Sequence, residues 1–191
     1  MDDKIFETIF CKIESIRQNK DFILIAIDGR CGSGKTTLAA ALQERLKCHV
    51  VHMDHFFPRM EQRTAERLNE PGGNLDRERF LEEVILPIKA REAFSYCPYI
   101  PWEKRMGEAI QIEPCNVIIA EGSYSCHPEL FDNYDLRIFL TVSEPERLRR
   151  IEKRNGKEKL VEFQEKWIPM EEKYFSAFGI EDRCDLWFKT G

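Results

Sequence analysis

Phe22-Ile23-Leu24-Ile25-Ala26-Ile27-Asp28-Gly29-Arg30-Cys31-Gly32-Ser33-Gly34-Lys35-Thr36-Thr37 reads, in order, as a strand, a turn and the start of a helix. The apolar run suits a strand covered on both faces, as in a parallel sheet. Gly29 to Thr36 matches G-x-x-x-x-G-K-[ST] in full. That spacing lets the backbone curl so that successive N–H groups converge on a phosphate, helped by the N-terminus of the following helix. Gly29, Arg30, Cys31, Gly32, Ser33, Gly34, Lys35, Thr36 and Thr37 are therefore the expected nucleotide-binding residues. Lys35 would reach the β- and γ-phosphates and the Thr36 hydroxyl would ligate Mg²⁺, so ATP and Mg²⁺ are the expected ligands.

Outward from this stretch, strand and helix patterns alternate. Ile5, Phe6, Ile9, Phe10, Ile13 and Ile16 predict a helix from Asp2 to Asn19. Leu38, Ala39, Leu42 and Leu46 predict a second helix, and Val50 to Met53 a short strand closing on Asp54. Asp76 caps a helix through Ile88, whose last turn Pro87 should fray or kink. Phe94 to Ile112, aromatic and broken by prolines, predicts a small hairpin laid over the sheet edge. Asn116 to Gly122 and Leu136 to Val142 read as further buried strands, and Asp185 to Phe188 as a last one. Glu144 to Asn155 and Leu160 to Phe178 read as helices. The alternation predicts an α/β protein with the three-layer P-loop NTPase fold, a mostly parallel central sheet flanked by helices. The expected organisation is one domain over residues 1–191, with an acceptor-site insertion at about 56–112 and a lid at about 144–160.

Composition narrows the function classes. An apolar fraction of 42% and a charged fraction of 33% are those of a soluble globular protein. A net charge of -5 argues against a nucleic-acid coat. The longest apolar stretches run about six residues, where a membrane span needs roughly 18. Met1 to Lys20 has no signal-peptide pattern, so a cytoplasmic protein with no membrane partner is expected. The seven cysteines include no C-x-x-C pair and no His at ligand spacing, which points to reduced thiols.

Two carboxylates stand at expected strand ends. Glu121 is either a metal-supporting acid or a strand-end carboxylate in solvent. Asp54 is either a base or orienting group for an attacking hydroxyl, or a turn and capping residue. Arg147, Arg150 and Arg154 share one helix face, suited to γ-phosphate or simply to solvent and Glu144 and Glu146. Tyr96, Tyr99 and Trp102 either line a pocket or pack the hairpin. His52, His55 and His127 show no metal-like grouping.

Four segments in order, Asp28 to Thr37, His52 to Phe57, Ile119 to Tyr124 and Arg147 to Asn155, resemble the uridine kinase and phosphoribulokinase branch of P-loop kinases. Phe163 to Pro169 is similar to the stretch that follows the lid in that family. The resemblance implies ATP-dependent phosphorylation of a hydroxyl on a small-molecule acceptor. It implies Asp54 as general base, Glu121 as metal support, and Arg150 and Arg154 as phosphate-holding lid residues beside Lys35. Tyr96 and Tyr99, with Asp54, are the expected acceptor contacts. Uridine kinases recognise the nucleoside with a Tyr and a His in this region; Tyr96 to Arg105 holds a Tyr and no His, which counts against uridine itself. Dimers and tetramers both occur among such families, which leaves a homo-oligomer open. The other function class open to the loop is a P-loop ATPase or nucleotide-switched regulator, although no Asn-Lys-x-Asp base-reading motif is present.

Overall fold

The computed structural model describes residues 3–191, so the expected helix start at Asp2 lies outside the described residues. In chain order the first elements are α1 (Asp3–Arg17), β1 (Ile23–Gly29), α2 (Lys35–Leu46) and β2 (His49–His52). A 3-10 turn over Met53–Phe56 carries Asp54, and α3 (Ala65–Asn69) follows. Then come α4 (Arg77–Phe80), a π turn over Leu81–Ile85 and α5 (Leu86–Ala90). The short strands β3 (Phe94–Tyr96), β4 (Tyr99–Ile100), β5 (Arg105–Met106) and β6 (Ile110–Ile112) precede β7 (Val117–Glu121), α6 (Pro128–Phe131) and β8 (Leu136–Thr141). The chain ends with α7 (Glu144–Asn155), α8 (Lys157–Glu162), a π turn over Phe163–Trp167, α9 (Ile168–Phe178), α10 (Ile180–Arg183) and β9 (Leu186–Lys189).

The main sheet has five strands in the order β2-β7-β1-β8-β9. Every pairing in it is parallel, where mostly parallel was expected. Successive side chains of a strand point to opposite faces, and β1 shows what that does here. Ile23, Ile25 and Ile27 pack with Ile9 and Ile13 of α1 and Leu38 and Leu42 of α2. Leu24 and Ala26 face a second core holding Phe56, Phe80, Phe139 and Tyr174. A strand buried on both faces cannot alternate apolar with polar residues, which is why β1 and β7 read as unbroken apolar runs.

The expected single hairpin is two nested ones, β3 with β6 and β4 with β5, all antiparallel. Pro87 does not fray its helix. Ahead of it, the Leu86 N–H reaches back to the Leu81 carbonyl in a wide π turn, and the helix runs on to Ala90. The Ile168 N–H bonds the Phe163 carbonyl in the same way ahead of Pro169, so the helix expected from Leu160 contains a π turn. A proline offers no N–H to the preceding turn, and a π turn lets the helix absorb that loss.

Candidate active site

β1 ends under the carbonyl of Leu140, where a Cβ on Gly29 would lie 2.0 Å from that oxygen at a φ of +135°. No other residue fits there, so the loop leaves the sheet at a glycine. Gly34 caps α2 at a φ of 97°, turning the chain so that the helix begins at Lys35. The loop is thus a turn wrapped on a helix N-terminus, the arrangement that receives phosphate. The Ser33 hydroxyl is buried there with no partner, an orphan that suits a phosphate oxygen.

Strand ends bring the carboxylates to this loop. β7 places Glu121, which is buried, with Oε1 3.1 Å from the Thr36 hydroxyl and Oε2 2.8 Å from His52 Nδ1. The hydrogen bond to Glu121 raises the pKa of His52, against the opposing effect of burial. Asp54 stands just past β2. It is exposed to the cavity at its surface, while protein atoms crowd it at longer range. That crowding raises its pKa, with Lys35 opposing and Glu121 assisting; water in the cavity reaches the carboxylate and limits the rise.

Lys35 Nζ donates to the carbonyls of Gly29 at 2.7 Å and Arg30 at 3.1 Å, and lies 3.4 Å from Ser123 Oγ. Ser123 Oγ donates at 2.6 Å to Glu171 Oε1. Glu171 Oε2 accepts from the Cys31 amide at 3.1 Å and from Arg147 Nη2 at 2.7 Å. Arg147 also reaches Glu172 at 2.8 Å, and Arg30 binds Glu172 and Glu181. An ion-pair network, buried at Arg147 and Glu171 and partly exposed at Glu172 and Glu181, therefore ties the phosphate loop to α7, α9 and α10. Burial pushes the Cys31 thiol up to about 12, which keeps it inert.

The arginines expected on one face of α7 separate by depth. Arg147 is buried in the network and is neither a solvent nor a cleft residue. Arg150 binds Glu146 at 2.7 Å and the Gly32 carbonyl at 3.0 Å, while Arg154 stays exposed. Arg150 and Arg154 line a cavity of about 970 Å³ together with Cys31, Gly32, Gly34, Lys35, Thr36, Thr37, Asp54, Tyr99 and Glu121. Tyr96 is outside that lining; it is 2% exposed, with its hydroxyl 3.1 Å from His55 Nδ1. The side chain of Arg30 also points away, into the network. Glu171 and Ser123 line the cavity without having been expected there. Ser123 carried a signal, two residues past Glu121 within Ile119 to Tyr124; Glu171, in a helix of mixed charge, carried none.

Against known proteins, the profile described as an AAA domain matches residues 25–171. The uridine kinase of Mycoplasma pneumoniae is 31% identical over 154 residues, 71% of this chain and 68% of that protein. The chain is an AAA-domain P-loop protein of the uridine kinase-like family. The uridine kinase of Limosilactobacillus reuteri is 27% identical over 154 residues, 73% of this chain and 68% of its own length. The fold is shared with a solved structure described as a possible uridine kinase from Bacillus stearothermophilus, at a TM-score of 0.68 and 19% identity over 97% of this chain and 99% of that one. This uridine kinase-like protein is a nucleotide-binding phosphotransferase acting on a small molecule, as the sequence led one to expect. None of its helices is long and apolar enough, among the described residues, to cross a membrane.

Proposed function

We propose that this chain transfers the γ-phosphoryl group of ATP to a hydroxyl of a small molecule, in the cytoplasm. The observation that carries the reading is convergence on one cavity of Lys35, the Thr36–Glu121 pair and Asp54. They stand at the ends of three neighbouring strands, where ligands of open parallel sheets bind. The names of the curated relatives make a nucleoside the first acceptor class to try.

Asp54 takes the proton of the acceptor hydroxyl as its oxygen bonds to the γ-phosphorus and the bridging bond to ADP breaks. A raised pKa makes Asp54 a better proton acceptor than an ordinary aspartate. Lys35 leaves the carbonyls of Gly29 and Arg30 for the phosphates, exchanging loop dipoles for a full negative charge. Arg150 and Arg154 bring positive charge to the same cavity, where it offsets the charge spread over the transferring oxygens. Thr36 and Glu121 offer the hard oxygen donors that suit Mg²⁺, which when bound supplies charge neutralisation at the phosphates. Among the described residues no cluster of three or more His, Cys, Asp or Glu could hold a metal, which fits an ion completed by phosphate and water.

The test is ADP release with ATP·Mg²⁺ across nucleosides, sugars and other small alcohols. Acceptor-dependent release is expected. Asp54→Asn should lower kcat by about 10²- to 10⁴-fold with ATP binding retained, and Lys35→Ala should abolish turnover. Release that ignores every acceptor would point instead to an ATPase or regulator, and full turnover by a folded Asp54→Asn protein would overturn the base assignment alone.

A further inference from the structure

The carboxylate of Glu121 is held from behind. Glu121 is 5% exposed and lines the cavity, whereas His52, which bonds it, stands outside that lining. The two are register partners in the parallel pairing of β2 with β7. Side chains alternate between the faces of a sheet, so register partners project on the same side. The sheet itself thus delivers the imidazole to the carboxylate. His52 Nδ1 lies 2.8 Å from Oε2, and the Thr36 hydroxyl 3.1 Å from Oε1. Among the described residues, these are the two hydrogen bonds of the Glu121 side chain. An ionised carboxylate only accepts hydrogen bonds, so Nδ1 carries the proton of the shorter one.

His52 is backed in its turn. Its ring meets the ring of His55 edge to face, with centroids 5.4 Å apart. His55 Nδ1 lies 3.1 Å from the hydroxyl of Tyr96, a core residue of β3. A line of contacts therefore runs from the hairpin through two imidazoles to Glu121 and on to Thr36 at the head of α2. Tyr96, which does not line the cavity, has its place in this line. A glutamate side chain is rich in rotamers, and a buried carboxylate oxygen left without a donor is costly. With Oε2 tied to His52, a swing of the carboxylate away from Thr36 would forfeit that bond as well.

We infer that His52 is a positioning residue: its Nδ1–H locks Glu121 beside Thr36 and so sets the affinity of the site for Mg²⁺. This rests on the reading of Thr36 and Glu121 as the residues that offer oxygens to the ion. A group that orients a ligand from outside tunes metal affinity without touching the metal. What the site needs from position 52 is a hydrogen-bond donor at one point in space.

The experiment measures binding of a β,γ-imido analogue of ATP by calorimetry across Mg²⁺ concentrations, so it needs no acceptor and no turnover. His52→Ala should raise the half-saturating Mg²⁺ concentration about 10- to 100-fold, with analogue binding in EDTA unchanged. His52→Asn puts its amide nitrogen where Nδ1 stood, and should return to within about 3-fold of wild type. His52→Gln carries the nitrogen one carbon farther out and should behave like His52→Ala. A folded His52→Ala protein with the wild-type Mg²⁺ requirement overturns the inference, and so does a His52→Asn protein no better than His52→Ala. Glu121→Gln checks the reading beneath. If it too keeps the wild-type requirement, the assignment of the ion to Thr36 and Glu121 falls and this inference with it. A shift in Glu121→Gln without one in His52→Ala leaves that assignment standing and removes the role of His52 alone.

Discussion

Glu171 does two things with one carboxylate oxygen: it holds Arg147 of α7 and it fixes the amide of Cys31 inside the phosphate loop. Its other oxygen holds Ser123, which in turn lies near Lys35. Glu171 is therefore a positioning residue, shaping the loop and the lysine without a proton-transfer role. Removing one member of a buried ion pair costs about 3–5 kcal/mol, and here Glu172 still pairs with Arg147. Glu171→Gln should accordingly lose about 2–4 kcal/mol in a denaturant melt. It should also weaken nucleotide binding more than it lowers kcat at saturation. A variant with unchanged stability and a kcat loss alone would assign Glu171 to the chemistry instead. Asp54 and Lys35 were visible in the sequence because each sits at a fixed offset from a strand pattern. Glu171 was not, because what distinguishes it is the set of partners it meets across the fold.

Among the elements, β1 and its exit at Gly29 tolerate the least change. A Cβ at Gly29 would strike the backbone of β8, not a side chain that could swing aside. Gly29→Ala should cost more than about 3 kcal/mol, through the collision and the positive φ together. The expected readout is a large drop in melting temperature or no soluble protein; a stable variant would mean that β8 can shift to make room. The helices that run into Pro87 and Pro169 show where local reading stops. Pro87 was legible as a breaker and Pro169 lay inside an expected helix, yet both helices continue through a π turn. Phe80, Val84 and Ile85 are buried on the first of these helices, and Tyr174 and Phe175 on the second. Packing of those side chains against the sheet holds the helices together despite a lost backbone bond.

At the scale of the molecule, Asp28 joins the parts. It accepts from the amides of Gly29, Tyr124 and Cys126 and from the Tyr174 hydroxyl, linking β1, the loop after β7, and α9. Burial pushes its carboxyl up to about 6, against those hydrogen bonds. His127, buried nearby in the same fold, is pushed down to about 4, first by burial and then by Arg77 and Arg67. The signs oppose. Between pH 7 and 5 the folded chain takes up a proton at Asp28 more readily than the unfolded chain, which adds stability as pH falls. Over the same range the unfolded chain protonates its histidine first, which removes stability. Asp28→Asn removes the uptake that opposes His127, so between pH 7 and 5 its stability should fall by about 1 kcal/mol more than that of wild type. Denaturant midpoints at the two pH values measure it, and equal slopes in the two proteins would contradict the assignment.

The parallel α/β layering, the phosphate loop and the strand-end carboxylates were all legible along the chain. Periodicity and short motifs encode these, and both act within a few turns of chain. Only the tertiary fold settled that Arg147 is buried while Arg154 is exposed, and that Tyr96 turns into the core while Tyr99 lines the cavity. The physical reason is that burial and charge pairing depend on which distant groups the fold brings within a few ångströms, and local pattern carries no record of them.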